Sequence, residues 1–202
     1  MTNVLSPLRA LIGTGAGHDE RHPGEPESLA SRLNWLRAGV LGANDGIVSV
    51  AAVVIGVAGA TSSVHAILLA GAAALIGGAL SMALGEYVSV SSQRDAVRAR
   101  IARGEAGDSD DVSPVHAALA SLTAFFVGGL LPFLCAVLVP VPPRVPVTFA
   151  AVLLALALTG WLGARFGDAP PLRATVRVVV GGAIALGITF AIGALLGTGM
   201  HL

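Results

Sequence analysis

The sequence predicts an all-α integral membrane protein with five transmembrane helices, on three observations. Of its 202 residues, 54% are hydrophobic and 12% are charged, about half the ~25% charge of an ordinary soluble domain. Runs of about 20 apolar residues, the length of helix that crosses a hydrocarbon core of about 30 Å, recur five times along the chain. The 12 positive charges are all arginine and are balanced by 12 acids, so a polyanionic partner such as a nucleic acid finds no net charge to bind, and the placement of the arginines carries the information.

The elements follow in order. Residues 1–34 are expected as a disordered polar tail, because the stretch 13–28 (GTGAGHDERHPGEPES) holds too few apolar residues to fold alone. No clean apolar run follows Arg9, so this segment does not read as a signal peptide. The membrane domain is expected over 35–202, with spans at 36–60, 64–90, 115–139, 147–166 and 176–197 and a short cytosolic loop at 91–114. Val139 to Pro146 (VPVPPRVP) cannot continue a helix, and Ala169-Pro170-Pro171 ends the fourth span. No internal repeat is visible. Gly42-xxx-Gly46 and Gly193-xxx-Gly197 place small residues where helix backbones can approach closely, within one chain or across a dimer seam.

Positive residues are retained on the cytoplasmic side of short loops. With the N-terminus inside, the inner segments hold Arg9, Arg21, Arg32, Arg37, Arg94, Arg98, Arg100, Arg103, Arg165, Arg173 and Arg177, and Arg144 alone falls outside. Four or six spans would scramble this partition.

Two acids fall within the spans, where a charge costs at least ~2.5 kcal/mol and tends to be functional. Asp45, nine residues into the first span, sits about 14 Å deep if that span is helical. Glu86 closes the second span at its inner mouth. Met82 precedes it by four residues and shares its helical face, about 6 Å deeper. If the first two spans pack antiparallel, Glu86, Met82 and Asp45 form a ladder by depth. Carboxylates alone suit Mg²⁺ or Ca²⁺, whereas an added thioether favours a softer ion such as Fe²⁺ or Mn²⁺. Each residue also has a plain structural reading: Asp45 as a cap at a helix break, Glu86 as a solvated interfacial acid, Met82 as core or lipid-facing filler. Asn44 and Tyr87 are candidate supporting residues, with bonding across helices and interfacial anchoring as their alternatives; Trp35 reads as an anchor too.

Other chemistry finds little footing. Cys135 has no second thiol to pair with. His18, His22, His65, His116 and His201 have no partner at ligand spacing, apart from a weakly metal-binding pattern at His18-Asp19-Glu20-Arg21-His22. No HExxH, GxSxG or P-loop pattern occurs, so neither an enzyme nor a resident cofactor is expected.

The first two spans, LRAGVLGANDGIVSVAAVVIGVAGA and then GGALSMALGEYVSVSSQRD, resemble the vacuolar iron transporter (VIT) family. The resemblance extends colinearly to GGLLPFL (Gly128 to Leu134) and GGAIALGITFAIGALLG (Gly181 to Gly197). It implies a homodimer of five-span protomers with a metal path along the dimer interface, exporting Fe²⁺ and often Mn²⁺ from the cytosol in exchange for protons. Carried over by motif, Asp45 and Met82 match the family's pathway ligands and Glu86 the acid of the same motif. A two-fold axis would double these to four carboxylates and two thioethers. Many members carry a long Glu-rich cytosolic insertion after the second span; here about 24 residues stand in its place, with Asp95, Glu105, Asp108, Asp110 and Asp111 among them. This is a short form, and its acids read as a solvated loop. Phe190 stands where some relatives have tyrosine.

The expected function is therefore secondary active, proton-coupled export of a divalent transition metal. The alternatives are a carrier for another cation or small metabolite, and a non-transporting membrane scaffold or accessory subunit. The Arg- and Ala-rich composition points to a bacterial plasma membrane.

Overall fold

The computed structural model describes residues 29–105, 112–167 and 169–199. The expectations for residues 1–28, for Asp108, Asp110 and Asp111, and for His201 lie outside the described residues. Among the described residues the fold has five helices: α1 Leu29–Ala60, α2 Val64–Ala102, α3 Pro114–Leu138, α4 Arg144–Phe166 and α5 Pro171–Gly199. All five are long and apolar enough to cross a membrane. The chain is a multi-pass, all-α integral membrane protein.

Four helices outrun their expected spans: α4 takes in residues 144–146, with Pro146 in its first turn, α5 runs Pro171–Gly199 against the expected 176–197, and the longest extensions are in α1 and α2. α1 begins at Leu29, so residues 29–34, expected in the tail, are helical. α2 has 39 residues, about 58 Å of helix, and carries residues 91–102, expected as loop, into the helix. Charge suggested a loop there, but SSQRDAVRARIA contains no Gly or Pro and is rich in helix-forming Ala and Arg. The stop comes at Gly104, with φ +72°, where the Gly104 amide donates to Ile101 O (2.9 Å) and the Glu105 amide to Arg100 O (3.0 Å). That pair of bonds is the Schellman termination. Glu105 also accepts from the Arg103 guanidinium at 2.7 and 3.1 Å, which holds the Arg103 pKa above its ordinary value.

The remaining boundaries have local causes. Ser63 caps α2 by accepting from the Ala66 amide (3.3 Å), and Ser113 caps α3 by accepting from the His116 amide (3.4 Å), with Pro114 as its first residue. Pro171 opens α5 in the same way.

α1 is the hub: it packs against each of the other four helices, while α2–α3, α3–α4 and α4–α5 are neighbours around it. Among the described residues α2 and α5 make no contact, which leaves a side of α1 uncovered between them. The core gathers on α1 at Val50, Val54 and Ile55, closed by Phe125 of α3, Leu156 of α4 and Leu186 of α5. Both small-residue pairs serve this intramolecular packing. A Cβ at Gly46 would run into the Phe125 backbone of α3, and one at Gly193 into the Gly56 backbone of α1. Gly42 and Gly197 meet Ser121 and Ala60 in the same way.

Arg144 was expected only as the lone outer arginine. It is 5% exposed, and its guanidinium donates to Val139 O at the end of α3 (3.1 Å) and to Ser62 O just past α1 (3.3 Å). One cation thus satisfies carbonyls at two helix C-terminal ends, where the backbone dipoles favour positive charge. It also places the α1–α2 and α3–α4 connections on one side of the molecule, as an up-down succession of spans requires.

Candidate functional site

α1 and α2 run antiparallel from the short Thr61-Ser62-Ser63 connection, and the groove between them opens into a cleft of about 390 Å³. α1 contributes Leu41, Asp45, Ser49 and Val53, residues four apart and therefore one stripe on the helix. α2 contributes Gly78, Ser81, Met82, Gly85 and Glu86, and Phe125 of α3 forms the floor. The open side of α1 is this side. Leu41, Val53, Ser81 and Gly85 are exposed along the cleft, so it faces outward from the helix bundle over much of its length.

All three ladder residues line the cleft. Asp45 is half-buried and accepts a hydrogen bond from the Ser49 hydroxyl at 2.7 Å. Met82 is half-buried and packs against the hydrophobic core as well as the cleft. Glu86, at 7% exposure, is more enclosed than a solvated interfacial acid; its Oε1 accepts from the Arg37 guanidinium at 2.7 Å. Arg37 itself is half-exposed. The cleft therefore runs from an ion pair at the α1 N-terminal end, past a thioether, to a carboxylate two helical turns along α1. No group of three or more His, Cys, Asp or Glu side chains comes together among the described residues.

The supporting candidates lie elsewhere. Asn44 faces α4, where its Oδ1 accepts from the Thr159 hydroxyl at 2.5 Å, the interhelical bond that was its alternative reading. It lines a second cleft, of about 370 Å³, on the other flank of α1. Tyr87 is 45% exposed and outside the cleft lining. His65 and His116 are exposed and Cys135 is half-buried, all away from the cleft.

Residues that sequence reasoning passed over complete the site. Ser49 was legible, since it is four residues past Asp45 on the same helical face. Ser81 and Phe125 were not, because neither stands out among the many small and apolar residues of its span. Arg37 had been counted only as a topology marker, yet it is the partner of Glu86.

A central helix packed against four others, with a cleft lined by two carboxylates and a thioether open along its flank, defines a polytopic membrane protein. The profile of the VIT family matches residues 36–107 and 101–194. Vacuolar iron transporter homolog 4 of Arabidopsis thaliana is 44% identical over 173 residues, 84% of this chain and 87% of that protein. Vacuolar iron transporter homolog 3 of the same plant is 44% identical over 177 residues, 86% and 88% of the two chains. Vacuolar iron transporter homolog 5 of Oryza sativa subsp. japonica is 46% identical over 172 residues, 83% of each. The chain belongs to the vacuolar iron transporter (VIT) family.

Proposed function

We propose that the protein moves divalent transition metal, Fe²⁺ or Mn²⁺, out of the cytosol as a secondary active transporter in exchange for protons, without a resident cofactor. One observation carries the reading: Asp45, Met82 and Glu86 line a single cleft along the α1/α2 groove. Carboxylates attract a dication and the thioether biases the site toward a softer one. Because metal binds the deprotonated carboxylate, metal arrival releases protons and protonation releases metal, which couples the two flows. The names of the plant relatives support iron as a cargo.

The cleft faces outward, and an Asp at membrane depth turned toward lipid would cost at least ~2.5 kcal/mol. A second copy laid over the same face removes that exposure. It also raises the donor set from two carboxylates and one thioether to four and two, around a two-fold axis. We therefore place the path at a homodimer interface, with Asp45, Met82 and Glu86 as its ligands. The N-terminus is cytosolic on the arginine partition. Residues before 35, of which 29–34 extend the first helix, lie outside a membrane domain of 35–202. The Arg- and Ala-rich composition supports a bacterial plasma membrane, whereas the relatives carry a vacuolar name.

The test is uptake of Fe²⁺, Mn²⁺, Co²⁺ and Ca²⁺ into proteoliposomes loaded with a pH dye, wild type beside Asp45→Asn. Saturable transition-metal flux with opposing proton movement, lost in the variant, is expected. Flux that survives the substitution removes Asp45 from the path; no flux for any ion favours another cargo or a scaffold.

A further inference from the structure

A metal ion that reaches Glu86 must compete with a cation already there, because Arg37 holds its Oε1. Its carboxylate is 7% exposed and bonded at 2.7 Å to Arg37, a residue one helical turn before Leu41 on the stripe that lines the cleft. Glu86 lines the same cleft as Asp45, so an ion that moves along this cleft toward Asp45 meets the pair.

Arg37 also borders the second cleft, on the opposite flank of α1, with Leu41, Asn44, Gly163 and Gly167. That cleft lies against the C-terminal end of α4, which closes with the Gly167 amide on Gly163 O. The last carbonyls of a helix carry its negative end and attract a guanidinium. Arg37 thus borders both clefts: it bonds the Glu86 carboxylate beside the first and lines the second together with the last turn of α4.

We infer that Arg37 is a tethered cation that guards Glu86 and sets the minimum charge of an ion that can enter the cleft. The inference rests on the proposed metal path. A monovalent ion that displaces the guanidinium exchanges one positive charge for one and gains little. A dication at Glu86 exceeds the single negative charge there and repels the guanidinium, displacing it toward the second cleft that Arg37 also lines. The pair would therefore favour divalent over monovalent cations while weakening divalent binding, since the ion must first break a charge-assisted hydrogen bond to a buried acid. Arg37 is a selectivity residue in this scheme and never a ligand.

The test is Mn²⁺ binding to the purified full chain, read as loss of the free-ion EPR signal, in choline chloride and in NaCl. Wild type is compared with Arg37→Gln, Arg37→Lys, Glu86→Gln, Asp45→Asn and the Arg37→Gln/Glu86→Gln double variant. Arg37→Gln is expected to bind Mn²⁺ about ten- to a hundredfold more tightly than wild type and to become sensitive to NaCl. Arg37→Lys, which keeps a tethered cation, should stay close to wild type, and the double variant should lose the gain. Arg37→Leu is read in the same way should the glutamine variant fail to fold. Binding by Arg37→Gln no tighter than wild type, or an equal gain without Glu86, overturns the guard. If Asp45→Asn still abolishes binding in that case, the metal path stands. No Mn²⁺ binding by any variant, wild type included, overturns both.

Discussion

Replacing Gly46 with Ala tests whether the close packing of α1 against α3 is what holds Asp45 in place. A Cβ built on Gly46 falls 2.8 Å from the Phe125 carbonyl carbon and 2.9 Å from its Cα, nearer still to its carbonyl oxygen, whereas ordinary contact begins at 3.4 Å. The obstacle is helix backbone, which cannot rotate away as a side chain could. α1 and α3 must therefore part by about 1 Å, and a backbone obstacle puts the cost at the upper end of the about 1–3 kcal/mol of overpacking, which leaves about 2 kcal/mol after the ~1 kcal/mol that Ala gains over Gly as a helix former. For a domain of this size the melting temperature should fall by roughly 4–8 °C. Since Gly46 is bonded directly to Asp45, the same shift moves the carboxylate relative to Met82 and Glu86, and metal flux should drop in protein that remains folded at the assay temperature. Gly187 is the control: nothing lies within 4 Å of a Cβ there, so Gly187→Ala should melt at or above wild type. A Gly46→Ala protein with wild-type melting and wild-type flux would refute the packing argument.

Further substitutions separate structure from transport. Arg144→Met removes hydrogen bonds to two otherwise exposed helix ends and should cost about 2–4 kcal/mol, seen as a lower melting temperature and faster proteolysis at residues 139–146; Arg144→Lys should restore only part of it. Thr159→Val breaks the bond to Asn44 and should destabilise by about 0.6–1.7 kcal/mol. Because Asn44 faces away from the acid–thioether cleft, that variant should keep its transport rate per folded molecule. Met82→Leu keeps the volume but loses the sulfur, so Fe²⁺ should be held less tightly while Ca²⁺ is little affected, and Ca²⁺ should compete better against Fe²⁺ than in wild type. Equal changes for both ions would remove the thioether from the path.

How far the fold was legible follows from where each cue resides. The number of spans and their approximate limits are properties of single helices, set by apolar length and by breakers such as the prolines of residues 139–146, and these read directly from the chain. The ladder of Asp45, Met82 and Glu86 was legible because helical spacing and depth fix each residue's height, and antiparallel succession brings the first two spans together. Partners across helices are a different matter. Gly181 and Gly182 are adjacent in sequence, yet a Cβ meets nothing within 4 Å at the first and meets Leu156 at the second; rotation of the helix about its axis decides this, and composition does not encode it. The same blindness made Asn44 look like a companion of Asp45. Neighbours in sequence on a helix point about 100° apart, so one lines the cleft while the other crosses to Thr159. Arg37 shows the limit most plainly. A membrane-edge arginine satisfies the positive-inside pattern whatever its side chain does, and only its 2.7 Å contact with a buried glutamate 49 positions away turns a topology marker into part of the site.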